Sequence, residues 1–182
     1  ADTSADTSDT GASGDTGEPS DGVERVAWTI LVFMNGDNDL ESAIWDDLNE
    51  LEAIGSNEDV HVLVQVDRHE SYWSGDGDWT DARRYYIDHD TDDDRLASTL
   101  IESLGEVDMG DPSVLSDFLL WAEQNYPAER IALSMWNHGD GWSVQGESPP
   151  PFISWDMTDN GWMSFAAGHF NEALDPWVAE RG

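Results

Sequence analysis

The residues with the clearest capacity for chemistry are Asn137, His138 and Gly139, which follow an apolar run at residues 131–136 (IALSMW). An imidazole titrates near neutral pH and can act as a general base or a general acid. The run is typical of a buried strand, and active sites of open α/β sheets collect where loops leave the carboxyl ends of strands. His138 is therefore a candidate catalytic residue. The alternative is a histidine that only hydrogen-bonds within its turn.

Strand and helix patterns alternate along the chain before this segment. Residues 26–34 (VAWTILVFM) form a continuous apolar run, which predicts a central strand buried on both faces. A second run at residues 60–66 completes a β-α-β unit. The helix between them is predicted from apolar residues at helical spacing, followed by a glycine stop: Leu40, Ile44, Leu48, Leu51, Ile54 and Gly55.

The later part of the chain continues the alternation. Residues 83–87 predict a short strand that pairs in a small hairpin away from the main sheet. Asp111 and Pro112 are a helix-start signal, and a further helix is predicted at residues 164–179. Together the elements predict an α/β fold with a mostly parallel central sheet flanked by helices, incomplete at the C-terminus.

Charge and composition exclude several function classes. The 182 residues carry a net charge of −33, and all seven basic residues are arginine. This balance disfavours nucleic acid and anionic membranes as partners, and it suits either a saline habitat or a very soluble exported protein. The chain has no cysteine, so it can form neither a disulfide nor a Cys-based zinc site. No apolar stretch has the length of a transmembrane segment.

Residues 1–24 differ from the rest of the chain. They are rich in Asp, Ser, Thr and Gly and contain no aromatic residue, so they cannot bury a core. We expect a disordered acidic leader followed by one folded domain at residues 25–182. The leader is typical of a surface tether, which favours an extracellular or cell-surface location with a lipid anchor as an option. The alternative is an ordinary disordered terminus.

Six segments in chain order resemble the clostripain family of cysteine peptidases. They cover nearly everything after residue 26, and collinear segments are more specific than one short motif. The segments are WTILVFMNGDNDLE (28–41), DDLNELEAIGS (46–56), VLVQVDR (62–68), RRYYI (83–87), the long stretch 104–142 that ends in NHGDGW, and ISWDMT (153–158).

The resemblance implies a caspase-haemoglobinase-like fold and a Cys/His dyad that cleaves peptides or proteins after Arg or Lys. It places the catalytic histidine on His138, in the Asn-His-Gly motif. In such a dyad the imidazole assists proton transfer around thiolate attack, and backbone N–H groups stabilise the oxyanion. By analogy, Gly139 is a candidate oxyanion donor.

One departure from the family is decisive for activity. The family's nucleophile follows an Asp-x-Cys pattern at the end of the next sheet strand, and this sequence ends before that strand. Three explanations stay open: a truncated chain, one of two chains from proteolytic maturation, or a degenerate homologue kept for binding. We expect the chain alone to be inactive and to need a C-terminal portion that carries the cysteine. The alternative function is a non-catalytic, surface-tethered binding domain.

The sequence assigns no metal site and no cofactor with certainty. Calcium is an option because clostripain is associated with it, and the pairs Asp37/Asp39 and Asp76/Asp78 could hold a cation. The alternative interpretation of these acids is a solvated acidic surface.

Overall fold

Five strands form one sheet in the computed structural model, which describes residues 24–139 and 151–182. Strands β2, β1 and β5 run parallel, and β3 and β4 extend the sheet antiparallel beyond β2. The order across the sheet is β4-β3-β2-β1-β5. The strands are β1 (Val26–Gly36), β2 (Val60–Arg68), β3 (Ala82–Tyr86), β4 (Thr99–Gly105) and β5 (Ala128–Trp136).

Three helices and a small two-stranded sheet complete the described fold. The helices are α1 (Glu41–Glu52), α2 (Pro112–Asn125) and α3 (His169–Arg181), and the small sheet pairs β6 (Ser154–Trp155) with β7 (Trp162–Met163). None of the helices that the structure describes is long and apolar enough to cross a membrane. The predicted leader lies outside the described residues except for its last position, residue 24.

The core has two layers because side chains alternate across β1 and β2. On one face Leu31 and Phe33 pack with α2 and α3, where Phe118 is fully buried. On the other face Val32 and Met34 pack against the apolar stripe of α1. The apolar runs at residues 26–34 and 60–66 therefore form inner strands of the sheet, as predicted.

The α/β prediction is confirmed, with two corrections in the antiparallel part. The predicted hairpin strand lies in the main sheet as β3, because its residues pair directly with β2. The sequence did not indicate β4, whose side chains are mostly exposed and lack an apolar alternation. Asp111 caps α2 as predicted, since its side chain accepts a hydrogen bond from the Ser113 backbone N–H at 2.7 Å. Residue Ile54 was wrongly placed in the α1 stripe and is 78% exposed.

Strand β5 differs from the predicted fully buried strand. It pairs with β1 on one side and is an edge strand of the sheet as described. Its apolar side chains Ile131, Leu133 and Met135 are only half-buried. On the α1 side, a groove of about 330 Å³ runs along it, lined by Val32 and Trp136 among others.

Two arginines from distant parts of the chain meet beside the start of β5. The Glu123 carboxylate accepts hydrogen bonds from Arg25, at 2.8 Å, and from Arg181. Arg181 also donates to the Ala128 carbonyl oxygen at 2.8 Å. The first strand and the last helix of the described domain are thus joined at the amino end of β5.

The Phe118→Ala variant should lower the free energy of unfolding by about 3–5 kcal/mol, because it opens a cavity in the larger core layer. Phe118 is fully buried and its ring centroid lies 6.3 Å from that of Phe33. Urea denaturation followed by tryptophan fluorescence measures the change. The control is Phe165→Ala, where the side chain is 49% exposed and the expected loss is below about 1 kcal/mol. Equal losses in the two variants would contradict the described core.

Candidate active site

His138 lies at the carboxyl edge of the sheet, two residues after the end of β5. Its side chain keeps 33% of its surface exposed, and its Nε2 atom lies 2.7 Å from Asp39 Oδ1. The Trp155 ring is its aromatic neighbour, at a centroid separation of 6.5 Å. The ring is therefore held on one side and open to solvent, as a group that exchanges protons with a substrate needs to be.

Register explains why these segments meet. Met34 pairs with Trp136 and Gly36 pairs with Arg68, so β1, β5 and β2 all end at the same edge. The turn after β1 is tight because α1 approaches it closely. A Cβ atom on Gly36 would lie 1.9 Å from Ile44 Cδ1, which only glycine avoids. The residues that follow this turn, among them Asp39, lie beside the loop that leaves β5.

Two asparagine side chains hold the backbone around His138. Asn137 Nδ2 donates to the carbonyl oxygens of Asn35 and Trp155, at 2.9 and 3.1 Å. Asn38 Nδ2 donates to the same two oxygens, each at 3.2 Å. Asn35 in turn donates from Nδ2 to Ser154 Oγ at 2.9 Å. We call this set of bonds the asparagine clamp, and it joins the segments before His138, after β1 and along β6.

Asp39 is the residue that the sequence interpretation missed at this site. It was considered only as a cation ligand, yet the structure places it against the His138 ring. A carboxylate only accepts hydrogen bonds, so Nε2 carries the proton and Nδ1 keeps its lone pair when the ring is neutral. The signal available in the sequence was the position of Asp39 in the turn that leaves the central strand.

Gly139 lies next to His138 in the left-handed region, with φ of +61°. A Cβ atom there would find open space, its nearest neighbour being the Asn137 carbonyl oxygen at 3.8 Å. Backbone conformation is thus the reason for glycine at this position. Its role as an oxyanion donor stays a prediction.

Four carboxyl groups cluster behind the His138 turn. One side-chain oxygen from each lies within 4.8 Å of the others, and three of the residues are buried while Glu106 is exposed. The group combines residues from four separate segments: Asp37, Asp67, Glu106 and Asp156. We call it the acid cluster. Of the predicted calcium pairs, only Asp37 belongs to it.

Burial perturbs the titration of the acid cluster. It raises the pKa of Asp67 to about 9, with a further contribution from the negative charges of Glu106, Asp156 and Asp37. Burial and the nearby Asp37 raise the pKa of Glu106 to about 7. Burial raises the pKa of Asp156 to about 6, although backbone N–H groups that donate to it act in the opposite direction. Without a cation, the cluster therefore retains protons near neutral pH.

Comparison with known proteins decides the family. A sequence model of the clostripain family, peptidase family C11, matches residues 32–181. The chain belongs to the clostripain family. Clostripain of Hathewaya histolytica is 30% identical over 141 residues, an alignment that covers 70% of this chain and 26% of clostripain. This member thus spans about a quarter of the length of that relative.

Solved structures show the shared fold. A secreted C11 cysteine protease from Bacteroides thetaiotaomicron, in complex with an irreversible peptide inhibitor, has a TM-score of 0.56 at 22% identity. The match covers 82% of this clostripain-family chain and 39% of that protease. A clostripain from the same organism, also in complex with a peptide inhibitor, has a TM-score of 0.50 at 12% identity, with coverage of 68% and 100%. The caspase-like fold implied by the resemblance is confirmed.

The raised pKa of Asp67 predicts a pH dependence of stability. In the unfolded chain this carboxyl group ionises near its ordinary pKa of 3.8, whereas the folded form keeps its proton up to about pH 9. Unfolding therefore releases a proton in this window, so stability should fall as pH rises, by up to about 1.4 kcal/mol per pH unit for the group.

Asp67→Asn should remove this contribution, because the amide keeps the shape and cannot ionise. Urea denaturation between pH 5 and pH 8, with a chelator present, compares the two proteins. The exposed Asp46→Asn on α1 is the matched control and should leave the slope unchanged. The interpretation fails if Asp67→Asn and the parent chain lose stability equally as pH rises.

Proposed function

We propose that this chain is the histidine-bearing portion of a clostripain-like cysteine endopeptidase. The proposal rests on the position of the His138 ring. The ring is partly exposed at the carboxyl edge of the sheet and is hydrogen-bonded to Asp39 at 2.7 Å. Membership of the clostripain family supports the same reaction class. The thiol comes from outside this chain, which contains no cysteine.

We propose that the segment which carries that thiol adds as a strand to the open edge of β5. A strand added parallel to β5 would lie about 4.8 Å away and would end at the same edge of the sheet. The residue that follows it would then lie beside residues 137–139. The half-buried apolar side chains of β5 and the groove beside Trp136 offer a surface for such an addition.

The arrangement fits the proton transfers of thiol catalysis. Nδ1 of His138 takes the thiol proton, and the thiolate sulfur attacks the scissile carbonyl carbon. The developing oxyanion is stabilised by backbone donors, for which we propose the Gly139 N–H. The imidazolium then gives its proton to the leaving amine, which leaves an acyl-enzyme for water to hydrolyse. Asp39 is the proposed positioning residue that keeps Nδ1 directed away from the turn.

The relatives support two further proposals, one on the substrate and one on the location of the protein. Cleavage after Arg or Lys is implied by the family resemblance, with peptides or proteins as substrates. A solved relative of the same fold is described as secreted, which supports an extracellular location. A lipid anchor attached through the acidic leader is the finer proposal. Growth with a labelled fatty acid, followed by detection of the label on the protein, would test it.

A non-catalytic binding domain is the second candidate function. The absence of cysteine from the sequence is the observation that favours it. In that case the longer protein would also lack a thiol at the end of the added strand. The sequence of the gene beyond residue 182 distinguishes the two functions directly.

The 182-residue chain alone should not turn over peptides that contain Arg or Lys, since it has no nucleophile. A longer protein that includes the thiol-bearing strand should be active and should lose activity with iodoacetamide. In that protein His138→Ala should lower kcat/KM by roughly 10²–10⁴-fold, whereas the control His89→Ala should not. Turnover by the short chain that disappears in His138→Ala would defeat the proposal.

Asp39→Ala should lower kcat of the longer protein by roughly 10–100-fold with little change in KM, because the ring loses its orientation and not its substrate contacts. The pH dependence of kcat should change as well, which a merely structural role would not produce. Asp59→Ala is the control, since this exposed carboxylate precedes β2 at the opposite edge of the sheet. A large rise in KM with kcat unchanged would assign Asp39 to substrate binding instead.

A further inference from the structure

The segment along β6 reverses the usual distribution of polar and apolar side chains. Ser154 and Asp156 are buried, with 1% and 0% of their surface exposed, whereas Trp155 is half-buried and Met157 is 39% exposed. Successive side chains of an extended segment point to opposite sides, so the two apolar side chains share the outer side. Apolar side chains on the outside of a segment that buries its polar ones are typical of a binding surface.

The polar side chains lie on the inner side because they bind backbone there. Ser154 Oγ donates to the Met109 carbonyl oxygen at 2.8 Å, and Asp156 Oδ2 accepts from the Met109 N–H at 2.9 Å. These two bonds join β6 to the segment before α2. Trp155 belongs to neither core layer of the described fold. Its ring is therefore directed away from the core.

The Trp155 ring is held at a defined place beside the candidate catalytic histidine. Its centroid lies 6.5 Å from that of the His138 ring and 5.9 Å from that of Phe152. Its backbone carbonyl oxygen accepts from Asn38 and Asn137, at 3.2 and 3.1 Å. We call Trp155 and Phe152 the aromatic wall. Since the asparagine clamp already fixes the backbone behind it, a ligand would not need to order this surface on binding.

The direction of the His138 ring determines which part of a substrate would reach the aromatic wall. Asp39 is bonded to Nε2, so Nδ1 is the atom that passes a proton to the leaving amine. The amine nitrogen must come within about 3 Å of Nδ1 to receive it. That nitrogen belongs to the residue after the scissile bond, whereas the acyl part stays on the sulfur. Groups that pack beside the imidazole therefore lie next to the leaving half of the substrate.

We propose that the aromatic wall is the subsite for the residue that follows the scissile bond, and that it selects large apolar and aromatic side chains there. This inference rests on the proposed peptidase function and deepens it, because it names the leaving half of the substrate. Aromatic rings favour tilted or offset contacts at centroid separations of about 4.5–7 Å. Phe152 and Trp155 already make such a contact, and a substrate ring beside Trp155 would make another.

The charge beside the wall disfavours acidic residues at the same substrate position. The Asp39 side chain is 59% exposed and lies against the same imidazole. A carboxylate on the leaving residue would be brought towards this like charge, which weakens binding and rejects the wrong partner. The expected order of preference is therefore phenylalanine, then glycine, then aspartate.

Specificity is tested on the longer protein that includes the thiol-bearing strand. Internally quenched peptides share one sequence with arginine before the scissile bond and differ only in the next residue, which is phenylalanine, glycine or aspartate. In the parent, kcat/KM for the phenylalanine peptide should exceed that for the glycine peptide about tenfold, and in Trp155→Ala this ratio should fall to about two or less. The ratio compares two substrates of one variant, so a general loss of activity cancels.

Three further variants control for effects on folding and on the site as a whole. Trp28→Ala removes a tryptophan that is 40% exposed near the start of β1, at the opposite edge of the sheet, and should keep the parent ratio. Trp155→Phe retains an aromatic face and should keep most of it. Phe152→Ala should lower the ratio about threefold. This last variant provides the test if Trp155→Ala does not fold.

Acyl transfer tests separately which side of the scissile bond the wall serves. Phenylalaninamide or glycinamide, added at equal concentration of the unprotonated amine, competes with water for the acyl-enzyme. The amine nitrogen attacks the thioester carbonyl, His138 takes its proton and the thiolate leaves, so the amine enters where the leaving group departed. The parent should form more amide product from phenylalaninamide than from glycinamide. Trp155→Ala should distinguish them much less.

Three other outcomes would overturn the inference. An equal phenylalanine-to-glycine ratio in Trp155→Ala and the parent would mean that the ring only packs against its neighbours. An effect of Trp155→Ala that appears when the residues before the arginine are varied, and not when the next residue is varied, would assign the wall to the acyl half. A longer protein that contains the cysteine but cleaves none of the peptides would defeat the proposed function itself, whereas an active protein without the preference would defeat this inference alone.

Discussion

Repulsion between buried carboxyl groups is the constraint on which the rest of this edge of the sheet depends. Asp37, Asp67 and Asp156 are fully buried and lie close together. The turn after β1, the end of β2 and the segment after β6 can converge only if that repulsion is compensated. The His138 turn rests on two of the same segments, because Asn137 donates to the Asn35 and Trp155 carbonyl oxygens.

Neutral amide side chains hold the backbone in place at this edge, where further charged side chains would add to the repulsion. Asn35, Asn38 and Asn137 all lie at the same edge. Asn38 and Asn137 donate to backbone carbonyl oxygens beside the acid cluster, and Asn35 donates to Ser154 Oγ. An asparagine donates without adding charge, so it can be packed next to carboxylates without raising their repulsion. Aspartate at these positions could only accept and would leave the carbonyls unpaired. The amides therefore satisfy the backbone at this edge without adding to the charge of the acid cluster.

The sequence predicted best what depends on local pattern. Apolar runs identified β1 and β2 because both faces of these strands are covered, and Asp111 with Pro112 identified the start of α2. His138 was found because it follows such a run. The acid cluster was not predicted as a unit, since its members come from four separate segments and only the pairing of strands brings them together. Strand β4 was missed for the opposite reason, because an exposed strand has no apolar signature.

The ion pairs at Glu123 fix where the rest of a longer polypeptide can attach. Arg25 and Arg181 both reach this residue and the start of β5, while His138 lies past the far end of the same strand. A strand of nine residues at about 3.3 Å per residue separates the two poles by roughly 30 Å. A tether that joins the domain at Arg25 would therefore leave from the pole opposite the imidazole.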